Sequence, residues 1–189
     1  MRYAFFLLLV AACAHAEPSL YLTNLGYRRP TVPCSSQIRV VNEIPYRWVS
    51  DAEIEAMTAW RRWLDVPVFY TECGQECTTT IHFLEAAGLV DEGGNRARDL
   101  FDPIGFDPHR GCYFRARIFI DSDTAYGDTN TLVKSITHAL GHAVGIDHSE
   151  FRHSIMKSRI SETEMVLPDE ERQLGLDVLN LAASGGVVP

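Results

Sequence analysis

The chain has no surplus of positive charge. Its 189 residues carry 17 Lys and Arg against 25 Asp and Glu, a formal net charge of -8. Non-specific binding to nucleic acid or to an anionic membrane surface needs clustered basic side chains, so neither is an expected partner. Beyond the first residues there is also no apolar run of about 20 residues, the length a membrane-crossing helix requires. Internal repeats and low-complexity tracts are missing too, which leaves one domain of ordinary size. What is present is a common globular balance, 46% hydrophobic and 22% charged, enough to bury a substantial core.

The start of the chain reads as a targeting segment. Met1-Arg2 gives a positive end, Tyr3 to Ala12 an apolar stretch, and Ala14-His15-Ala16 a small-x-small cleavage site before Glu17. Residues 1–16 are therefore expected to be a signal peptide, and the chain exported to the cell envelope or beyond. Val10-Ala11-Ala12-Cys13 also resembles a lipobox, whose processing would leave a lipid anchor on Cys13. The complete Ala-x-Ala pattern favours cleavage after Ala16. Cysteine usage agrees with export: beyond Cys13 there remain Cys34, Cys73, Cys77 and Cys112, an even set suited to two disulfides in any of three pairings. Cys34 has a second reading, as a thiol that blocks a metal from an N-terminal pro-segment.

Residues 17–35, with Pro18, Pro30 and Pro33, read as an extended lead-in to a domain over 36–183. Gln37 to Val41 has strand patterning. Ser50 and Glu53 form a capping box ahead of Ile54, Met57, Trp60 and Leu64, which predicts an amphipathic helix over 51–64 with Arg61 and Arg62 outward. Val66 to Thr71 and Thr79 to Leu84 read as two more strands. Ala87 to Gly111 is rich in Gly, Asp and Pro and reads as a long surface loop. Tyr113 to Ile120 alternates as a strand, and Thr131 to Val144 carries a helical stripe of Leu132, Val133, Ile136, Leu140 and Val144. After Leu167, the acids Asp169, Glu170 and Glu171 open a last helix whose apolar face is Leu174, Leu176, Val178 and Leu179. Ser184 to Pro189 reads as a frayed end. The order implies an α+β domain with a mostly parallel twisted sheet.

The chemistry concentrates in His138-Ala-Leu-Gly-His142-Ala-Val-Gly145-Ile-Asp-His148. Residues four apart on a helix share a face, so His138 and His142 can present their imidazoles to one ion. Gly145 suits a left-handed helix end that turns the chain back and brings His148 round as a third ligand. Three imidazoles leave one tetrahedral position open, which is the arrangement of a catalytic rather than a structural zinc. Asp147 caps the helix end or faces solvent. His109 and His153 read as surface residues, His153 being a spare ligand candidate. Asp121, Asp123 and Asp128 admit calcium, although a turn closing a strand explains them at least as well.

The spacing matches the zinc-protease pattern H-E-x-x-H-x-x-G-x-x-H with one departure: Ala139 stands where the general-base Glu belongs. Met156, a short interval after His148, resembles the Met-turn beneath the zinc in the metzincin clan. Over most of the chain the element order is similar to the matrixin branch of that clan, and Ser149 directly after the third histidine is the matrixin-like choice. Ser158 occupies the place where astacins and serralysins put a ligating Tyr, and there is no Pro-Arg-Cys-Gly pro-segment. The resemblance implies a single metzincin-like domain with an active-site helix, Met-turn and C-terminal helix. It also implies a shallow cleft where a peptide or protein substrate pairs along an edge strand, with a specificity pocket walled by residues just after Met156.

The expected activity is zinc-dependent peptide hydrolysis, with little or none left in this chain because Ala139 has no proton acceptor. Neutral imidazoles should keep their zinc affinity. Glu150 is an outside candidate for a replacement acid, poorly placed beyond the zinc helix. The alternative expectation is a natural pseudo-protease that grips a peptide or protein partner without cutting it. A purely structural zinc domain is the third reading.

Overall fold

A computed structural model describes residues 32–91, 94–158 and 165–185. The expected signal peptide, Cys13 and most of the expected lead-in lie outside these residues. So do 159–164, where much of the specificity wall would fall, and the last four residues of the chain. The described residues form one α+β domain built on a five-stranded sheet of order β2-β1-β3-β5-β4. The strands are β1 (Ile38–Asn42), β2 (Phe69–Tyr70), β3 (Thr79–Ala86), β4 (Asp99–Asp107) and β5 (Cys112–Asp121). All neighbours pair in parallel except β4, which runs antiparallel along β5 at the edge of the sheet. Helices α1 (Arg47–Leu64), the short α2 (Ser122–Ala125), α3 (Thr129–Ala143) and α4 (Asp169–Ala183) complete the domain. No helix among the described residues is long and apolar enough to cross a membrane.

Strand β4 corrects the expectation of a long loop over 87–111. Its Gly, Asp and Pro content disguises a strand that is tolerated because it lies at an edge. Pro103 lacks an N–H but sits at a register shift, where the ladder needs none. Of the described residues between β3 and β5, only 87–91, 94–98 and the turn at 108–111 lie outside strands. Strand β2 is far shorter than expected, two residues rather than six.

Helix α1 begins four residues early. Its N-cap is Tyr46, with no side-chain cap. Ser50 instead accepts a hydrogen bond from the Asn42 amide at 3.2 Å, so the capping box does not form. The buried stripe is Val49, Ala52, Glu53, Ala56, Trp60 and Leu64, while Ile54 is 56% exposed. Small Ala52 and Ala56 let the helix lie close to its neighbours, a role that hydrophobicity alone does not reveal. Trp60 is fully buried and its indole N–H donates to the Thr137 carbonyl at 2.8 Å, joining α1 to α3. Arg61 and Arg62 face solvent as expected. On α4, Gly175, Val178, Leu179 and Ala182 are buried, whereas Leu174 turns outward.

Glu53 is only 3% exposed. Burial pushes its carboxyl up to about 7, against the opposing hydrogen bond with Asn42. A native pKa above the unfolded value means the folded state holds the proton more tightly. Stability is then greatest below the unfolded value of 4.5 and declines as pH rises toward 7. Glu53→Gln should therefore stabilise the protein at pH 8 by on the order of 2 kcal/mol and change little at pH 4, a difference readable by urea unfolding.

Two disulfides close the fold: Cys34–Cys112 and Cys73–Cys77. The first fastens the end of the lead-in to the start of β5, where the Cys34 N–H also donates to the Tyr113 carbonyl at 2.8 Å. Cys34 is thereby removed as a metal-blocking thiol.

Candidate metal centre

Helix α3 is the central helix of the domain, with Leu132 to Gly141 buried without a break. Its N-terminus is capped by Asp128, whose carboxylate accepts from the Thr131 N–H at 2.8 Å. At the other end, the Gly145 N–H donates to the His142 carbonyl and the Ile146 N–H reaches back to the Gly141 carbonyl, both at 3.0 Å. With Gly145 at φ 82°, this is a Schellman turn, which only glycine adopts without strain. The Tyr113 hydroxyl adds a third bond, to the Ala143 carbonyl at 2.5 Å. The chain leaves this turn toward His148.

The three histidines converge. His138, His142 and His148 each offer a ring nitrogen, and these atoms lie within 4.8 Å of one another. Among the described residues no other group of three or more His, Cys, Asp or Glu side chains does so. The Nδ1 of His138 faces the Ile155 carbonyl at 2.8 Å, and that of His142 faces the Ile146 carbonyl at 2.9 Å. A carbonyl can only accept, so both Nδ1 atoms carry the proton and both Nε2 atoms keep a lone pair. Those two Nε2 atoms stand 3.1 Å apart. Nitrogens bound to a tetrahedral ion at about 2.0–2.1 Å would be separated by roughly 3.3 Å, so the pair is already at ligating distance. Burial pushes the imidazole of His138 below the ordinary histidine value, and that of His142 further, with the neighbouring His138 and His148 adding to the effect. Both are neutral at pH 7, as metal ligands must be. The donor set fits a metal ion.

Met156 is fully buried and lies against α3 at Gly141. A Cβ added at Gly141 would meet its sulfur at 2.1 Å and Trp60 at 3.0 Å. The helix thus needs hydrogen at position 141 for the methionine to reach it. The backbone at Met156 is tied down by Ser154, whose hydroxyl donates to Glu171 on α4 at 2.5 Å and accepts from the Met156 N–H at 2.9 Å. Gly141→Ala should displace Met156 and cost about 1–3 kcal/mol, as overpacking does. Thermal unfolding tests the loss, and chelator competition should show weakened metal binding beside it.

Ala139 is fully buried between the two helical histidines. The nearest acid in sequence, Asp147, is exposed and accepts from the His148 N–H at 2.7 Å. Glu150, His109 and His153 are exposed as well, and His153 stands outside the cluster. The three carboxylates considered for calcium are committed to protein donors. Asp121 accepts from the Gly88, Leu89 and Asp123 N–H groups and pairs with Arg96, Asp123 pairs with the same Arg96, and Asp128 caps α3.

The sequence did not single out one further carboxyl group whose pKa is displaced. Asp99, the first residue of β4, pairs with Ile120 in the ladder, so its side chain emerges on the same face as that core residue. The Ser135 hydroxyl of α3 is buried and makes no well-formed hydrogen bond. Burial pushes the Asp99 carboxyl up to about 7, opposed by His148, Ser135 and Arg98.

No protein-family model matches the chain, and no curated protein matches it.

Proposed function

We propose that the chain is a zinc-dependent metalloendopeptidase of metzincin type, matrixin-like, in which the helix's own general base has been replaced by Ala139. The observation that carries this reading is the histidine trio: three imidazoles on one point, two with Nδ1 committed to backbone carbonyls, above a methionine packed on Gly141. Neutral nitrogen donors favour zinc over hard cations, and two of the three already stand 3.1 Å apart. Zinc, when bound, polarises a peptide carbonyl and acidifies the attacking water.

The protein's own part is to hold and orient. Among the described residues, strand β4 pairs on one edge only, since it ends the sheet order. An extended peptide could add to that edge through main-chain hydrogen bonds. His138 is only 4% exposed and His142 half-buried, whereas His148 is open to solvent, so the site is approached from the His148 side. Two disulfides agree with a life outside the cytosol, in keeping with the export signal.

Ala139 supports a second reading, a pseudo-protease that binds peptides without cleaving them. One experiment separates the two. The purified chain and its Ala139→Glu variant are assayed for zinc content, casein cleavage and peptide binding. Chelator-sensitive cleavage in the variant supports the peptidase reading. Tight peptide binding by both, with cleavage by neither, supports the binding protein.

A further inference from the structure

We propose that Tyr113 is a positioning residue for the metal ligand His142, and that the disulfide-fastened end of the lead-in sets where Tyr113 stands. The inference rests on the metal centre of the reading above and is independent of peptide cleavage.

The link from Tyr113 to the ligand is made of hydrogen bonds. The turn after α3 fills the carbonyls of Gly141 and His142 with its own N–H groups, but no backbone N–H among the described residues reaches the carbonyl of Ala143. The Tyr113 hydroxyl donates to that carbonyl at 2.5 Å. Tyr113, Ala143 and Val144 are all fully buried, so without the hydroxyl the carbonyl would face neither water nor another donor. Ala143 follows His142 directly. Three residues further on, the Ile146 carbonyl accepts from His142 Nδ1 at 2.9 Å. The hydroxyl thus fixes one end of a short segment whose other end aims the imidazole. Partners of this kind act on metal affinity through orientation, because a ring held in its binding direction has less freedom to lose.

Tyr113 is in turn held by residues distant in sequence. Its N–H donates to the Val32 carbonyl at 2.9 Å and its carbonyl accepts from the Cys34 N–H at 2.8 Å, a parallel bridge with Pro33. Strand β3 pairs with β5 only from Arg115 onward, and at Tyr113 it contributes one long bond, from the Thr79 hydroxyl at 3.5 Å. The lead-in therefore takes the place of a sheet neighbour at the start of β5. Cys34–Cys112 closes the same contact covalently, one residue before Tyr113, and the Arg110 guanidinium donates to the Cys34 carbonyl at 3.0 Å. From this anchored backbone the ring crosses the core, edge-on to Phe101 with centroids 5.5 Å apart, and ends at α3. A phenylalanine would fill the same space. Only the oxygen at its tip separates a positioning residue from a packing one.

Five proteins test it: the chain itself, Tyr113→Phe, Cys34→Ser with Cys112→Ser, those three changes together, and Ile38→Val. The last is a core change on β1, two strands from β5, and controls for loss of stability alone. Folding is read by thermal unfolding, zinc affinity by competition with a chromophoric chelator, and ligand geometry by the visible bands of the cobalt(II)-loaded protein. Tyr113→Phe is expected to lower zinc affinity about tenfold, the low end for partners that orient a ligand, and to alter the cobalt bands. Ile38→Val should leave the bands unchanged and the affinity within about threefold, as distant sites do. The cysteine pair should reproduce the loss, and adding Tyr113→Phe to it should cost less than about threefold more, because both changes act along one line. Undiminished zinc affinity in Tyr113→Phe, or a loss matched by Ile38→Val, would make Tyr113 a packing residue and overturn the proposal. A further full tenfold loss in the triple variant would overturn the part assigned to the lead-in. Should Tyr113→Phe not fold, the cysteine pair decides, and zinc affinity and cobalt bands equal to those of the unaltered chain would overturn the proposal. Failure of the unaltered chain to bind zinc at all would remove the metal centre, and with it both the peptidase reading and this inference.

Discussion

Ala139→Glu is expected to raise zinc-dependent peptide cleavage by about 10²–10⁴-fold, the usual contribution of one positioned general acid–base group. In barrier height this is roughly 3–5 kcal/mol. Position 139 lies between the two helical ligands on α3 and is fully buried, so a carboxylate there is held on a helix enclosed by the core. The gain must be weighed against fit. Glu is larger than the alanine that the core now packs, so the variant must also be shown to fold by thermal unfolding. Cleavage should vanish with a chelator and return on adding zinc. A folded, zinc-loaded Ala139→Glu protein without such activity would count decisively against the peptidase reading.

Replacing Cys34 and Cys112 together by Ser should cost up to about 4.5 kcal/mol, the chain-entropy value for a loop of that length. The two cysteines are 78 residues apart, and the bridge encloses α1, β1 to β4 and the irregular segments between them. A domain of ordinary stability has about 5–15 kcal/mol in total, so this variant should lose a large fraction of it. Cys73 and Cys77 are only 4 apart, and removing that bridge should cost about 2 kcal/mol by the same relation. Urea unfolding of the two double variants tests both the magnitudes and their order. A larger loss from the short bridge would mean that strain or packing, rather than loop entropy, governs this fold.

Much of the metal centre was legible in the sequence because its signals are local. Helical spacing alone brings His138 and His142 together, and Gly145 occupies the left-handed position that the turn requires. The strands β1, β3 and β5 and the helices α3 and α4 also fall within a few residues of their expected limits. Each has a continuous apolar pattern set by burial. What escaped depends on partners distant in sequence. Strand β4 is specified by pairing with β5, and its Gly, Asp and Pro residues are acceptable only because it lies at the edge. Asp99 inherits its position from that pairing, so no pattern around it could reveal what it faces. Glu53 has the sequence appearance of a helix cap, yet the helix starts earlier and carries it into the interior. Gly141 was visible as a small residue between two histidines, but its purpose needed Met156, fifteen residues on.

The way α3 ends bears on how the ion would be taken up. The last turn of a helix is ordinarily its softest part, where carbonyls go unfilled and the chain frays. Here the carbonyls of Gly141, His142 and Ala143 are all occupied, by Ile146, Gly145 and Tyr113, and His142 sits within that clamped turn. The protein therefore keeps a ready-made cup instead of assembling one around its cargo. Stripping the ion should leave backbone amide exchange in this turn as slow as in the rest of the core.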